Sequence, residues 1–250
     1  TGALRKSLAE GNFHEFVKQA WSIVEPDVEY RDNWHIGALC EHLGAVADGH
    51  IRQLLVNVPP GSMKSLLVCV FWPAWVWARN PAKRFMFASY SDALTMRDSV
   101  RCRNVLTSEW YQGNWPLKFR DDQNTKGMFE NAMGGWRLAT SVGGRATGLH
   151  PDFIVADDPN NAREAESEAD RQNVIDWWDG TISTRGVSRG VSQVVVQQRL
   201  HTQDLTGHLM GKGTWEMICL PMRYEEGRMG KTSLGFEDPR KVDGELLWPE

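Results

Sequence analysis

An apolar run that leads into a turn-forming loop, and from there into a Lys-Ser pair, constrains this chain more than any other feature. The run covers residues 54–58, the loop covers residues 59–63, and the pair is Lys64-Ser65. A strand that ends in such a loop lets the loop's backbone N–H groups and the next helix N-terminus attract phosphate oxygens. We therefore predict a phosphate-binding loop, in which Lys64 reaches the terminal phosphates of a nucleotide and the Ser65 hydroxyl ligates Mg²⁺.

The loop departs from the usual Walker A pattern, G-x-x-x-x-G-K-[ST]. Val58 and Met63 stand at the two glycine positions, so only Gly61 offers a freely flexible backbone. Such an incomplete match does not establish a phosphate-binding loop by itself, so motifs elsewhere in the chain have to support it. The predicted nucleotide contacts are the loop and the start of the next helix: Pro60, Gly61, Ser62, Met63, Lys64, Ser65 and Leu66.

Composition limits what else the chain can be. Its 250 residues and 41% hydrophobic content suffice for one large α/β domain with a real core. A net charge of −4 is unlike a dedicated nucleic-acid-binding module, so contact with nucleic acid must be local. The four cysteines lack C-x-x-C spacing, which argues against a zinc site or a disulfide framework. With no signal-peptide pattern and no long apolar run, we expect a cytosolic chain.

A second apolar stretch, residues 153–156, ends in two carboxylates, Asp157 and Asp158. Asp157 would hold Mg²⁺ directly or through water, and Asp158 would orient and polarise the attacking water. Many such enzymes use Glu in the second role, and Asp is one methylene shorter, so the water must lie closer. The alternative is that this acidic segment caps the helix starting near Glu164.

The order of the two motifs predicts the fold class. A phosphate loop after one strand and a carboxylate pair about ninety residues later is the arrangement of strand-inserted (ASCE, RecA-like) P-loop NTPases. We therefore predict an α/β fold with a mainly parallel central sheet flanked by helices. The predicted elements are a covering helix over residues 4–24, strands at 54–58, 84–88, 153–156 and 191–197, helices at 64–78, 92–106 and 162–178, and a hairpin around 131–135.

Further candidate residues lie around these motifs. Arg145, in a Gly-rich loop, could reach a γ-phosphate in a neighbouring subunit or pair with a local carboxylate. Gln198 follows a predicted strand and could sense the γ-phosphate, since an amide contacts phosphate or water without adding charge. Trp34 and His35 could hold an adenine ring, or they could anchor their helix to the core.

Taken together, these segments resemble the ATPase domain of tailed-bacteriophage terminase large subunits, the motors that package DNA into an empty capsid. The resemblance spans most of the chain. It rests on Trp34-His35, on Asn57-Val58-Pro59-Pro60 before Lys64-Ser65, on residues 148–152 before 157–159, on residues 197–201 before 204–207, and on residues 244–249. Many family members carry an Arg inside the loop that this chain lacks, which strengthens the case for Arg145 acting between subunits.

The resemblance implies hydrolysis of ATP, with Mg²⁺, to drive double-stranded viral DNA into a procapsid in the host cytoplasm. It also implies a ring of ATPase domains on the portal protein that takes DNA from the terminase small subunit. Family members continue into a nuclease domain, whereas this sequence stops at Glu250, so we expect no DNA cleavage by it. The expected division is a helical lead-in over residues 1–50, an ATPase core over 51–220, and a tail or linker over 221–250.

The sequence is also compatible with other functions. The same fold could serve a helicase or a recombinase-like ATPase, and the altered loop could bind nucleotide weakly in a structural ring component. A metal nuclease built on Asp157 and Asp158 is disfavoured, because these acids follow a strand in the position that complements a phosphate loop. Arg185 and Arg189 are candidates for DNA contact, or they are solvated surface charges.

Overall fold

The strands are short runs of mostly apolar residues that form one sheet. The computed structural model describes residues 2–144, 148–183, 190–228 and 230–248, and within these ranges the sheet has eight strands. They are β1 (Gln53–Asn57), β2 (Phe85–Ser89), β3 (Phe119–Asn124), β4 (Met128–Asn131), β5 (Trp136–Ser141), β6 (Phe153–Asp157), β7 (Ser192–Gln197) and β8 (Glu216–Cys219). Their order across the sheet is β3-β4-β5-β2-β6-β7-β1-β8.

The sheet is mainly parallel, as predicted. Strands β5, β2, β6, β7, β1 and β8 run parallel in that spatial order. Strands β3, β4 and β5 pair antiparallel, which confirms the hairpin around residues 131–135. Strand β7 lies between β1, which precedes the phosphate loop, and β6, which ends in the carboxylates. This inserted strand confirms the predicted fold class.

Helices cover both faces of the sheet. They are α1 (Gly2–Gly11), α2 (Phe13–Val24), α3 (Trp34–Ala47), α4 (Trp72–Arg79), α5 (Asp92–Thr107), α6 (Glu109–Asn114), α7 (Glu168–Trp177) and α8 (Leu205–Met210). A 3₁₀ turn covers Glu164–Glu166, and π-helical turns cover Leu66–Phe71 and Trp178–Ser183. Among the described residues, no helix has the length and apolar content needed to cross a bilayer.

Successive residues of one strand belong to different hydrophobic clusters. Leu54 and Val56 of β1 join a large cluster that includes residues of α2 to α6. Leu55, between them, joins a smaller cluster with Trp177 of α7 and Trp178. Burial on both faces is typical of parallel strands covered by helices on each side, and it explains why these strands read as continuous apolar runs.

Three helical predictions were wrong in detail. The helix predicted over residues 162–178 is divided, because a 3₁₀ turn over Glu164–Glu166 precedes α7, which begins at Glu168 after its N-cap Ser167. The spacing over residues 4–24 predicts one helix, but the chain breaks at Asn12, whose side-chain oxygen accepts a hydrogen bond of 3.1 Å from the Glu15 backbone and caps α2. Residues 64–78 do not form a uniform helix, since the π-helical turn Leu66–Phe71 precedes α4. Such turns are often found at functional sites, and this one directly follows Lys64-Ser65.

The C-terminal segment, residues 221–248, folds back onto the start of α3. Arg240 is buried, pairs with Asp238 at 2.7 Å, and donates hydrogen bonds to backbone carbonyl oxygens of the segment. The Asn33 amide donates to the Leu247 carbonyl at 2.9 Å. The large cluster also includes Leu247, so the C-terminal segment shares a core with the helices and the sheet.

Candidate functional site

The candidate site lies at the edge of the sheet where β1, β6 and β7 end. The residues that follow these three strands come together there. Parallel pairing aligns the last residues of β1 and β7, Asn57 and Gln197, and aligns Asp157 of β6 with Val196 of β7. Lys64 then reaches across this edge and donates a hydrogen bond of 2.6 Å to Oδ2 of Asp158. The Lys64 side chain is 8% exposed and that of Asp158 is 19% exposed, so the pair is largely shielded from water.

Asp158 is held by its backbone as well as by Lys64. Its N–H donates to the Val196 carbonyl at 2.8 Å, and its own carbonyl accepts from Tyr90 at 3.2 Å. Its Oδ1 accepts a hydrogen bond of 3.0 Å from the Gln198 backbone N–H. Asp158 has a φ of 41°, in the left-handed region that residues other than glycine seldom adopt. Such strain, about 1–3 kcal/mol, is concentrated at functional sites, where the surroundings impose it.

Asp157 is more deeply buried than its neighbour. Its Oδ2 accepts a hydrogen bond of 3.6 Å from the Cys69 thiol, while its buried Oδ1 has no hydrogen-bond partner among the described residues. Burial raises the pKa of the Asp157 carboxyl, and the negative charge of Asp158 raises it further. The Ser65 hydroxyl and Lys64 oppose this rise, so both groups lie close enough to affect the carboxylate.

The oxygens at this position fit a magnesium ion. Carboxylate and hydroxyl oxygens are ligands that Mg²⁺ accepts, and the buried Oδ1 of Asp157 has no hydrogen-bond partner among the described residues. No cluster of three or more His, Cys, Asp or Glu side chains suited to a metal occurs in the described part of the chain. Mg²⁺ held by Ser65 and Asp157 would therefore also need phosphate oxygens and water, which is its usual coordination at nucleotide sites.

The phosphate loop has the backbone of a glycine-containing loop despite its sequence. Gly61 has a φ of 79°, and Met63, at the second glycine position of the pattern, has a φ of 61°. The Ser62 hydroxyl donates to the Pro59 carbonyl at 2.7 Å and closes the loop. Met63 thus takes up the left-handed conformation that glycine favours, at a cost of about 1–2 kcal/mol. Of the other predicted contacts, Pro60 is exposed and Leu66 is half-buried.

Sequence reasoning missed a link between the loop and the start of α8. The Thr206 hydroxyl donates to Oδ1 of Asn57 at 3.0 Å, and both residues are buried. Gln198 lies at the other end of the same connecting segment and contacts Asp158 through its backbone, while its half-buried side chain lines a cleft beside the loop. The segment from β7 to α8 therefore contacts both the start of the phosphate loop and the carboxylate opposite it.

The two predicted adenine contacts have different surroundings. The Trp34 ring stacks on Phe236 with centroids 6.3 Å apart, and the Arg240 guanidinium lies 5.6 Å from its centre. His35 is fully buried, and neither ring nitrogen has a hydrogen-bond partner among the described residues. Burial lowers the pKa of His35 to about 4, although the neighbouring Ser62 backbone opposes the shift, so the imidazole is neutral at pH 7.

Three predicted residues lie outside the described ranges. These are Arg145, the candidate for action between subunits, and Arg185 and Arg189, the candidates for DNA contact. Their predicted roles stay predictions.

No protein family model and no curated protein matches the sequence. Solved structures do match. An ATPase-domain variant of the large terminase of Thermus phage P74-26 aligns with 62% of this chain and 63% of its own, at 12% identity and a TM-score of 0.45. The large terminase of bacteriophage HK97 aligns with 85% of this chain and 45% of its own, at 12% identity and a TM-score of 0.53. The chain thus spans less than two thirds of each protein. The likeness to the HK97 protein shows a shared fold, so this chain has the strand-inserted P-loop fold of a bacteriophage large terminase.

Proposed function

We propose that the chain is the motor domain of a terminase large subunit, a Mg²⁺-dependent ATPase that drives double-stranded viral DNA into a procapsid. The observation that carries the proposal is the 2.6 Å pair of Lys64 and Asp158 at the sheet edge, beside Asp157. Phosphoryl transfer to water needs a cation near the terminal phosphates and a group that orients the water. Lys64 and Asp158 are these two groups, placed within reach of one phosphate loop.

Each residue then has a defined task. The backbone N–H groups of residues 60–66 bind the phosphates, and Lys64 stabilises the charge that develops on them. Asp158 accepts a hydrogen bond from the attacking water, and Gln198 contacts the γ-phosphate or that water. Ser65 and Asp157 hold Mg²⁺, which neutralises charge on the phosphate oxygens when it is bound.

The pairing of Lys64 with Asp158 has a consequence for the reaction. Lys64 has to exchange the Asp158 carboxylate for phosphate oxygens when ATP binds. This exchange leaves one oxygen of Asp158 available to water, while the Gln198 backbone still holds the other at 3.0 Å. The carboxylate therefore becomes available as a base only when bound phosphate groups draw Lys64 away from it.

The assembly around the motor follows from the same proposal. We place the chain in a ring on the portal protein, where it receives DNA from the small subunit, with Arg145 reaching the γ-phosphate of a neighbouring subunit. The site is no nuclease in this proposal, because Asp157 and Asp158 complement the phosphate loop. Plasmid nicking with Mn²⁺ that disappears in Asp157→Asn would favour a nuclease instead.

The test is the rate of phosphate release from ATP and Mg²⁺ by the Lys64→Ala protein. The rate should fall about 100-fold or more, since a charge aimed at the transferred phosphoryl group contributes on that scale. Lys212→Ala is the matched control, because Lys212 pairs with Asp179 at 2.7 Å on the surface and should leave the rate unchanged. Hydrolysis by Lys64→Ala at the wild-type rate would refute the proposed catalytic role.

Two measurements separate the alternatives. Strand displacement by the isolated protein on a forked DNA duplex would favour a helicase, whereas a packaging motor should hydrolyse ATP faster with duplex DNA and displace no strand. Calorimetry that detects no heat with millimolar ATP and Mg²⁺ would favour a structural ring component.

A further inference from the structure

The thiol of Cys69 lies against the carboxylate that the proposed function assigns to Mg²⁺. Cys69 belongs to the π-helical turn Leu66–Phe71 and follows Ser65 by four positions. Helical residues four positions apart lie on nearly the same face, and the side chains of Ser65 and Cys69 both interact with Asp157. The helical segment after the phosphate loop therefore meets this carboxylate with a hydroxyl and, one turn further on, with a thiol.

The two carboxylate oxygens of Asp157 have different surroundings. Oδ2 accepts a hydrogen bond of 3.6 Å from the Cys69 thiol, whereas the buried Oδ1 has no hydrogen-bond partner among the described residues. Asp157 is only 7% exposed, so water does not readily replace a missing partner. A buried polar atom without a partner is costly and calls for an explanation, and a cation that binds Oδ1 is one. The thiol thus holds one oxygen and leaves the other for a metal.

A thiol suits this position because it donates a hydrogen bond without carrying a charge. Cys69 is buried, and its ionisation would place a second negative charge beside Asp157 and away from water, so the sulfur keeps its proton. An S–H group is a weak donor. A lysine or arginine at the same place would neutralise the carboxylate and compete with a metal ion for it, whereas the thiol fixes one oxygen and leaves the negative charge in place.

The surroundings of Cys69 fix the position of its thiol. The Arg137 guanidinium donates to the Cys69 carbonyl at 3.1 Å, and it lies 4.2 Å from the centre of the Phe87 ring. Cys69 and both of its neighbours in the chain are buried members of the large hydrophobic cluster. Since the thiol has no room to move away, its bond to Oδ2 restricts the orientation of the carboxylate.

A carboxylate restricted in this way is better suited to Mg²⁺ than to Ca²⁺. Mg²⁺ requires a nearly octahedral arrangement of oxygens at about 2.0–2.1 Å, and it tolerates little deviation from it. Ca²⁺ binds six to eight oxygens in flexible geometry and often takes both oxygens of one carboxylate. Because Oδ2 is held by the thiol, Asp157 offers a single oxygen in a fixed direction.

We propose that Cys69 is a positioning residue, which holds Oδ2 of Asp157 so that Oδ1 is directed at the metal, and that it thereby favours Mg²⁺ over Ca²⁺. This proposal rests on the proposed ATPase function, because the metal enters the site together with the nucleotide. It gives a specific role in metal selection to a residue outside the Walker A pattern.

The test measures binding rather than hydrolysis. The affinity for a non-hydrolysable ATP analogue is determined by calorimetry with EDTA, with Mg²⁺ and with Ca²⁺, and the contribution of each metal is the ratio of the affinities with and without it. In Cys69→Ala the Mg²⁺ contribution should fall about tenfold or more, the scale of groups that orient a metal ligand, while the Ca²⁺ contribution stays the same. Cys69→Ser keeps a donor for Oδ2 and should retain the wild-type preference for Mg²⁺.

Cys102→Ala is the matched control. It removes the same atom from another fully buried cysteine, which lies beside Arg137 and is not hydrogen-bonded to Asp157. Its Mg²⁺ contribution should equal that of wild type. A general effect of deleting a buried thiol would instead lower the Mg²⁺ contribution in both alanine variants.

Infrared spectroscopy of the wild-type protein tests the same contact without a variant. A metal ion on Oδ1 draws negative charge from the carboxylate of Asp157 and weakens the hydrogen bond that Oδ2 accepts, because hydrogen bonds to charged acceptors are the stronger ones. One S–H stretching band should therefore move to higher frequency when Mg²⁺ and the analogue bind. This band should be missing from the spectrum of Cys69→Ser.

The outcomes distinguish the role of Cys69 from the function itself. An unchanged Mg²⁺ contribution in Cys69→Ala, equal losses for Mg²⁺ and Ca²⁺, or an S–H spectrum that does not respond to Mg²⁺ would overturn the positioning role and leave the ATPase proposal standing. Wild-type protein that does not bind the analogue, with or without metal, would refute the ATPase proposal and the positioning role with it.

Discussion

Lys64 and Asp158 lie 94 residues apart in the sequence, yet their side chains form an ion pair of 2.6 Å at the carboxyl edge of the sheet. The pair depends on β7, which separates the strands that carry the two residues and whose Val196 carbonyl accepts the Asp158 N–H. Because both side chains are largely shielded from water, removal of either one leaves the other as an uncompensated charge. The pair is therefore important both for the proposed catalysis and for the stability of the fold.

Substitutions at the buried Arg137 can show which interactions stabilise the core behind the site. Its guanidinium is fully buried, lies 4.2 Å from the centre of the Phe87 ring, and donates to the Cys69 carbonyl at 3.1 Å, while two of its nitrogens have no partner among the described residues. Burial lowers its pKa. An apolar residue of similar length avoids this desolvation, so Arg137→Met should unfold in urea with unchanged or greater stability. Arg137→Ala should lose about 2–5 kcal/mol by leaving a cavity. Equal losses in the two variants would show that the charge itself stabilises the core.

Substitutions at Met63 can measure the backbone strain in the phosphate loop. At a φ of 61° glycine should be favoured over alanine, so Met63→Gly should be more stable than Met63→Ala by about 1 kcal/mol in urea unfolding. The control is Asn104, which is exposed within α5, where the order should reverse because glycine in a helix interior is less favourable than alanine by a similar amount. Greater stability of the alanine variant than of the glycine variant at both positions would contradict the left-handed conformation of Met63.

His35 should make stability depend on pH. Its pKa of about 4 in the folded protein lies below the ordinary value of 6.5, so between these values the unfolded chain binds more protons than the folded one. The contribution of neutral His35 to the free energy of unfolding is therefore fully present above about pH 6.5. It is lost progressively as the pH falls towards about 4, by up to about 3 kcal/mol. Urea unfolding at pH 4 to 7 should show this loss in wild type and in the surface control His50→Gln, but not in His35→Gln. The same loss in His35→Gln would assign it to other groups.

The order of the elements was predictable from local patterns because the strands and the loop are continuous apolar and turn-forming runs. The phosphate loop, the acidic strand end and the mainly parallel sheet follow from such runs. The contacts that complete the site do not, since they join distant parts of the chain. The bond from Thr206 to Asn57 spans 149 residues, and Asn33 contacts Leu247 across 214 residues.

Met63 shows a different limit of pattern reasoning. The residue type at this position argued against a phosphate loop, but the backbone there has the conformation of the usual glycine. Strain that the surroundings offset is not visible in a sequence. Trp34 packs on Phe236, 202 positions later, a contact that its sequence context did not indicate, and its predicted ligand contact stays a prediction.

The most direct test of the catalytic pair is ATP hydrolysis by Asp158→Asn, measured beside its affinity for ATP. Asparagine keeps the size of the side chain and its acceptor for the Gln198 backbone, but it cannot take a proton from water. Hydrolysis should fall about 100-fold or more, the usual contribution of a general base, while ATP still binds. Asp152→Asn, at a carboxylate that accepts from the Arg84 backbone at 2.9 Å beside the start of β6, should hydrolyse ATP normally. Hydrolysis of ATP by Asp158→Asn at the wild-type rate would contradict the assignment of Asp158 as the base.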